Sequence, residues 1–530
     1  MVMKSINIII AALVLGGVIL NSCKDDEYDF KVCDMKVDRE SIVDVAAQNP
    51  GQEVVVLTTD APYWILQTPD WITPDATTGY GEQSIVTFTI ASNFKDENTD
   101  VAARKGEIKF SGGMTSVVIP VSQLGYTAPV DPDASIGGIP DMDEFKDFIS
   151  AVNNGRAISR WFNADGEVEL LTDLDLASFA EWVPVGLPEK VTLGNNSLSY
   201  TGSSFKGVFN GGGHTIRNFN INTTFGKDAA FGFFGVLDGA VVKDLNIEGS
   251  MTASATGAGA AGMLAGAAIS STIENVKVNA DITFKGTITS DRFALGGVAG
   301  FSYATGDAQS LFKSCTMTGN VDAVSGDGNT TNGATAVVYG GIVGFSTTPA
   351  EAATTIEKCE NNGKMTVSLG RCSGILATSH AGTLITGCVN NADQVNTFGN
   401  GREGNIVSVI GQNSGIVDCV NNGNLTTTSA ETTAGAIVAL LNASNVYITG
   451  GRNNGTIIGG NRTTIGLIAA NFSKFTSVSG FTVSGKIGYY SADGNHEMQV
   501  LNESTYMNFV GKISDSNRAK LTDIKFVPAE

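Results

Sequence analysis

Two different patterns of apolar and polar positions divide the chain. Between about residues 33 and 126, apolar and polar positions alternate in short runs: Glu53–Leu57, Ser84–Ile90, Gly106–Phe110 and Ser116–Gln123. Alternation with period two is the signature of half-buried strands, and turn residues separate these runs at the spacing of an all-β sandwich. From Ile216 onward the pattern changes. An aliphatic residue is followed by two polar positions, a core residue, one polar position and then a core residue or Asn, usually with Gly two further on. It begins at residues 216, 242, 273, 312, 356, 385, 416, 448 and 478, nine copies at intervals of 26 to 44 residues. Between these copies lies a second apolar motif, including Gly296-Gly-Val-Ala-Gly300 and Gly340-Gly-Ile-Val-Gly344. Two short apolar strands per unit of about 30 residues, with no helical segment between them, predict a solenoid whose coils bury their faces on one another. The expected fold class is all-β: an immunoglobulin-like sandwich over 33–126, then a right-handed parallel β-helix over 165–485, with 486–530 as its C-terminal cap. A β-propeller is the runner-up, but its blades need four strands in longer units. The longest intervals place extra residues in loops such as 325–333.

The joints are also legible. Residues 127–140 are rich in Pro, Gly and Asp without periodicity and read as a linker. Asp141 and Glu144 then have capping-box spacing, Met142, Phe145, Ile149 and Val152 follow at helical spacing, and Gly155 stands where a helix would stop. A short amphipathic helix is expected within 141–164, its apolar face closing the open end of the solenoid. Cys315, Cys359, Cys388 and Cys419 fall at one repeat position, and Asn361, Asn390, Asn421 and Asn453 at another. In a β-helix each set would stack at strand spacing, about 4.8 Å. Disulfides between such Cys would need distortion, so they read as buried thiols. The Asn column would hydrogen-bond along the axis.

Charge and the N-terminus change the picture of location. The formal charge is −20, and with no basic stripe nucleic acid is not an expected partner. Lys4 precedes an apolar run from Ile8 to Leu20, the layout of a secretory signal too short to span a bilayer comfortably. Leu20-Asn21-Ser22-Cys23 resembles a bacterial lipobox. That resemblance implies cleavage after residue 22, a lipid on Cys23 and a membrane partner held through the acyl chains. Residues 23–32 would then form a tether. Its Lys24-Asp25-Asp26-Glu27 resembles the acidic tag of surface-exposed Bacteroidetes lipoproteins, which implies an outer-membrane protein facing outward.

Residues 33–126 carry Trp64, Asp70-Trp71-Ile72, the run 87–93 ending in Asn93, Arg104-x-Gly106-x-Ile108 and Ile119-x-Val121-x-Gln123-x-Gly125. In this order they resemble the BACON domain, which implies a spacer or a carbohydrate-associated module. Trp64 and Trp71 have two readings: rings stacking on sugar faces, or rings filling the core of a small sandwich. Leu171–Leu176, Trp182–Gly186 and Phe205–Ile216 resemble the start of GLUG-type β-helix domains of bacterial surface proteins, a resemblance to an architecture and not to an activity.

Candidate chemistry is sparse. Of the three His, 214 sits in a Gly-rich corner, and 380 and 496 have no evident partner. Asp173 and Asp175 are flanked by Leu and read as turn caps. No HExxH, GxSxG, P-loop or CxxC occurs, and no metal or cofactor is expected. The main functional expectation is a non-catalytic, adhesin-like or glycan-associated surface protein. Its partners would be a polysaccharide or a host or cell-surface glycan or protein, met by loop-borne aromatics such as Phe301, Tyr303 and Tyr339. The alternative is a polysaccharide-degrading β-helix lyase or glycosidase.

Overall fold

The computed structural model describes residues 32–528 except 97–98, 128–134, 180, 195–196, 287–291, 306–307, 326–336, 350–352, 400, 429–431, 461–464 and 491–494. Cys23, its acidic tag and most of the 325–333 loop lie outside the described residues. The chain divides into two compact units between Asp131 and Pro132.

The first unit is a sandwich. One sheet orders the strands Met35–Val37, Gln52–Thr59, Gln83–Ile90 and Ile72–Pro74; the other orders Ile42–Val45, Thr115–Gln123, Arg104–Gly112, Trp64–Gln67 and Thr78–Gly79. The alternation does what it predicts. Val55, Leu57, Val86 and Phe88 of one sheet and Ile108, Phe110, Ile119 and Val121 of the other share one core. Polar motif residues stitch the strand ends. Asn93 donates from Nδ2 to the carbonyls of Ala102 and Leu124, both at 2.9 Å. Arg104 Nε donates to Gln123 Oε1 at 2.9 Å, and Gln123 Nε2 donates to the carbonyls of Ala46 and Ala91. The four bonds to carbonyls satisfy backbone acceptors near the strand ends.

The second unit opens with the helix Met142–Asn153. Asp141 caps it, accepting from the backbone N–H groups of Asp143 and Glu144 at 3.0 Å. The reciprocal half of the expected box goes elsewhere. Glu144 accepts from Arg160 Nη2 at 2.6 Å and Trp161 Nε1 at 2.9 Å, and the Arg160 bonds hold its carboxyl below the usual range. Phe145 and Phe148 are buried, the first 5.7 Å from the Phe233 ring and the second 6.1 Å from Phe209. The helix therefore closes the first coils, as its apolar face demands.

Behind it the chain winds into a parallel solenoid of three sheets, with 27, 8 and 9 strands among the described residues. Equivalent positions pair coil to coil, so Phe312, Ile356, Ile385, Ile416 and Ile448 form one buried column. The second sequence motif is not one strand, as expected, but two joined by a bend: Phe293–Gly296 belongs to the 8-stranded sheet and Ala299–Tyr303 to the 9-stranded one. Stacking also continues past residue 485. Lys512–Ile513, Leu521–Thr522 and Lys525–Phe526 pair in parallel with the coil before them, so the segment expected as a cap supplies a further coil.

The polar columns form as the repeat predicts. Asn361 Nδ2 donates to Asn390 Oδ1 at 3.2 Å, Asn390 to Asn421 at 3.0 Å, and Asn421 to Asn453 at 2.8 Å. The four repeat Cys are buried and free. The residues before them, Ser314, Lys358, Gly387 and Asp418, have φ between 50° and 62°, so each Cys follows a left-handed corner. Each thiol donates to a carbonyl of the preceding coil: Cys315 to Ile273, Cys359 to Phe312, Cys388 to Ile356 and Cys419 to Ile385, at 3.3–3.5 Å. Close stacking explains the Gly that ends the motif. A Cβ on Gly455 would lie 2.0 Å from the carbonyl oxygen of Gly423.

Candidate functional site

Two surfaces of the solenoid have the geometry of a site. The first is on the long sheet. Thr215–Phe225, Val241–Ala255, Thr272–Gly286 and Val321–Ser325 lie side by side. Register aligns Asn222, Thr252, Thr283 and Asp322 in one row and Thr224, Ser254, Lys285 and Val324 in the next. These rows border an open depression of about 490 Å³. The Thr224 and Ser254 hydroxyls are 2.9 Å apart. The first row sets amide, hydroxyl and carboxylate groups at coil spacing.

The second surface lies where the 8- and 9-stranded sheets bend toward each other. One row runs Ala230, Ala260, Ala294, Val338, Arg371, Arg402 and Thr433. The facing row runs Ala267, Phe301, Phe345, Thr378, Val409, Leu440 and Asn471. Alanines let the sheets close on the early coils, where Phe301 stacks on Phe345 at 5.1 Å and the hairpin residues Val191 and Leu198 complete the seal. At Arg371 the lining turns polar. Arg371 is 9% exposed and donates from Nη1 to Thr378 Oγ1 at 3.3 Å. Arg292 lies 4.3 Å over the Phe345 ring. Burial and the neighbouring Arg292 and Arg402 charges push Arg371 down to about 10. Burial, then Arg292 and Arg371, lower the exposed His380, leaving its imidazole neutral at pH 7. Beyond this point Arg402, Val409, Thr433 and Leu440 are half-buried, so the seam becomes a groove.

A further titratable group faces inward. Glu403 is fully buried; its Oε1 accepts from Asn396 Nδ2 at 2.7 Å, while Oε2 has no partner among the described residues. Burial pushes its carboxyl well above the usual range. Register stacks it on Cys372, itself beside Tyr339, whose hydroxyl is likewise unsatisfied.

The sequence-predicted aromatics fall differently from their expectation as ligand platforms. Trp64 is 2% exposed in the sandwich core, its Nε1 donating to Ser84 Oγ at 3.0 Å. Trp71 is half-buried under the Arg104 guanidinium, 4.4 Å from the ring centroid. Phe301 and Tyr339 are not on loops; they lie buried in strands because their coils stack on both faces. Tyr303, at a strand end, is half-buried. Asp173 accepts from Thr215 N at 2.9 Å and contacts His214 and Arg217, and Asp175 accepts from Ala177 N. Both are corner caps, as read. Among the described residues no group of three or more His, Cys, Asp or Glu is placed to hold a metal ion.

Sequence reasoning passed over Arg371, Arg402 and Glu403. The available signal was positional: Arg371-Cys-Ser-Gly and Arg402-Glu-Gly-Asn occupy the slot filled by Val338-Tyr-Gly-Gly in the second motif, and charge in an apolar slot marks a site or a cost.

Comparison with known proteins bears first on the sandwich. Residues 60–124 match the BACON family, described as "Putative binding domain, N-terminal". The first unit carries a BACON domain. The Trp, Asn, Arg and Gln positions that stitch and fill the sandwich belong to this BACON domain or flank it, and the parallel solenoid follows it. No curated protein matches the chain. Among solved structures, a Bacteroides ovatus GH5 xyloglucanase in complex with a XXXG heptasaccharide aligns at 20% identity over 20% of this chain and 22% of its own, with a TM-score of 0.15. This chain thus spans about a fifth of that enzyme's length. A "putative immunoglobulin A1 protease" from Bacteroides ovatus aligns at 18% identity over 63% of this chain and 86% of its own, TM-score 0.33. An IgA1 protease aligns at 11% identity over 87% of this chain and 30% of its own, TM-score 0.35.

Proposed function

We propose that this protein is a lipid-anchored envelope protein that holds an extended glycan along its solenoid. The observation that carries this reading is the open depression across four coils, bordered by Asn222, Thr252, Thr283 and Asp322 at strand spacing. Regularly spaced hydroxyls, amides and carboxylates suit a polymer of hydroxyl-bearing units, each bond adding modestly and the array adding up. The BACON domain, a binding-domain family by description, supports the same reading. The anchor rests on the Leu20–Cys23 motif and the surface location on the acidic tag after it. Mass spectrometry of the native N-terminus tests the first: a start at an acylated Cys23 is expected, and an unmodified start elsewhere refutes it. Protease shaving of intact cells tests the second.

A degradative reading stands beside it, with the glycan cleaved rather than held. Its specific support is the pairing of a neutral His380 with guanidinium groups at the groove, a base beside cations able to stabilise developing negative charge. One experiment separates the two. The full chain is incubated with plant, host and microbial glycans while binding and new reducing or unsaturated ends are followed. Binding without product supports the holding reading. Product lost in His380→Asn supports the degradative one, and neither binding nor product refutes both.

A further inference from the structure

A smaller cavity opens beside the depression on the long sheet. The turn Leu176–Ser178 and the residues after it meet the start of the strand Thr215–Phe225 and leave a pocket of about 70 Å³. Its apolar walls include Phe179 and Trp182; Phe179 is half-buried and meets the Trp182 ring edge-to-face at 5.4 Å. Its polar side is formed by Asn218 and Asn220, both exposed. Asn218 donates from Nδ2 to Asp175 Oδ1 at 2.8 Å, which leaves its Oδ1 as an open acceptor among the described residues. Asn220 Oδ1 accepts from Ser250 Oγ at 2.8 Å, which leaves its Nδ2 as an open donor among the described residues. Asn222 follows on the same outward face of the strand and borders the larger depression. Alternate residues of a strand lie about 7 Å apart, so the two cavities adjoin.

Pockets that enclose a whole small ligand run to ~300 Å³ and more. This one admits a substituent, not a sugar ring. A substituent that satisfies it must bring an apolar end for the aromatic wall, an N–H for Asn218 Oδ1 and an acceptor for Asn220 Nδ2. An acetamido group brings all three in its methyl, its amide N–H and its carbonyl oxygen. A hydroxymethyl group lacks the apolar end, and a carboxylate offers no donor. We infer that this pocket is a subsite for the acetamido group of an N-acetylated sugar, holding one unit of a glycan whose neighbouring units cross the depression. The course of the chain across the depression rests on the glycan reading above; the pocket's fit to the substituent does not.

The test titrates the full chain with N-acetylglucosamine, N-acetylgalactosamine and N-acetylneuraminate, with glucose and galactose as counterparts. Chito-oligosaccharides are compared with cello-oligosaccharides of the same length, which carry a hydroxyl where the acetamido stands. Binding is read by calorimetry and by saturation transfer to the acetyl methyl. At least one N-acetylated sugar is expected to bind more tightly than the hydroxyl sugars, with its acetyl methyl the most strongly saturated group. Asn220→Ala removes one donor, a weakening on the order of 5-fold. Ala177→Leu fills the pocket from an exposed position and is expected to abolish the acetamido preference; it keeps the test open if Asn220→Ala does not fold. Equal binding of N-acetylated and hydroxyl sugars, or a preference untouched in both folded variants, overturns the subsite and leaves the glycan reading standing. N-acetylated monosaccharides bound as tightly as their oligomers would support the subsite and sink the extended-glycan reading. No binding of any of these sugars overturns the subsite.

Discussion

Asn421 sits at the centre of the amide column, and its removal measures what the column contributes. Its Nδ2 donates to Gly423 O at 2.9 Å and Asn453 Oδ1 at 2.8 Å, while its Oδ1 accepts from Asn390 Nδ2 at 3.0 Å. In Asn421→Ala all three bonds go, yet none of the partners is orphaned. Asn390 Nδ2 keeps Ala392 O, Asn453 Oδ1 keeps Gly455 N, and Gly423 O keeps Asn405 Nδ2. The loss is therefore net bond energy without desolvation penalty, about 1 kcal/mol per bond, with about 1 kcal/mol more for the small void. A destabilisation of ~4 kcal/mol is expected. Asn421→Asp keeps the shape but replaces a donor with an acceptor facing two acceptors, in a fully buried position. The carboxyl must stay protonated, so its folded pKa rises above the unfolded ~3.9. Stability of this variant is then greatest below that value and is lost as pH rises through the folded pKa. At pH 7 it should be less stable than the Ala variant, with the difference shrinking toward pH 4. Urea unfolding combined with hydrogen-exchange mass spectrometry of peptides spanning 385–460 reads both effects. An Asn421→Ala protein with unchanged amide protection, or an Asn421→Asp protein indifferent to pH, would refute the column as a source of stability.

Other expectations follow from burial. Glu403→Gln retains an acceptor for Asn396 while removing the ionisable group whose folded pKa is raised. Wild-type stability should fall as pH rises above about 4.3 through that raised value, and the variant should lose this dependence and be the more stable at pH 8 by thermal melting. Thiol labelling of Cys359 and Cys388 should be slow in the native protein and fast in urea, because both are fully buried; rapid native labelling would contradict the packing. Ile356→Asp places an unpaired charge in the aliphatic column and should cost several kcal/mol in urea unfolding; a loss below about 1 kcal/mol would contradict its interior position.

The columns were legible because they depend on spacing: Cys and Asn recur at fixed offsets from an aliphatic residue, and parallel stacking converts an offset into a neighbour. The sandwich strands were legible for the same reason with period two. Two features were not. The bend within Gly296-Gly-Val-Ala-Gly300 splits one apolar run into two strands, and no periodicity of five residues distinguishes a bend from an extension. That bend turns an outer face into a second interior, which is why Phe301 disappeared into packing and why Arg371, outward in sequence pattern, became buried. The rows facing across the seam come from strands of different sheets, a relation that residue spacing within one chain segment does not encode.

The columns also make each coil a unit of length. Between Ile356 and Asn421 successive coils present the same corner thiol and amide to the coil on either side, with a small residue, Gly363, Ala392 or Gly423, ending each motif. One coil there can be dropped or duplicated, and the new neighbours still match. The first coils do not have this freedom, because Phe225, Phe284 and Phe293 stack on one another and Phe219 packs on Phe233 within the same core. The reach of the solenoid is thus a copy number: unequal recombination within the ladder region can lengthen or shorten it while the sealed end, fitted to its helix, stays the same.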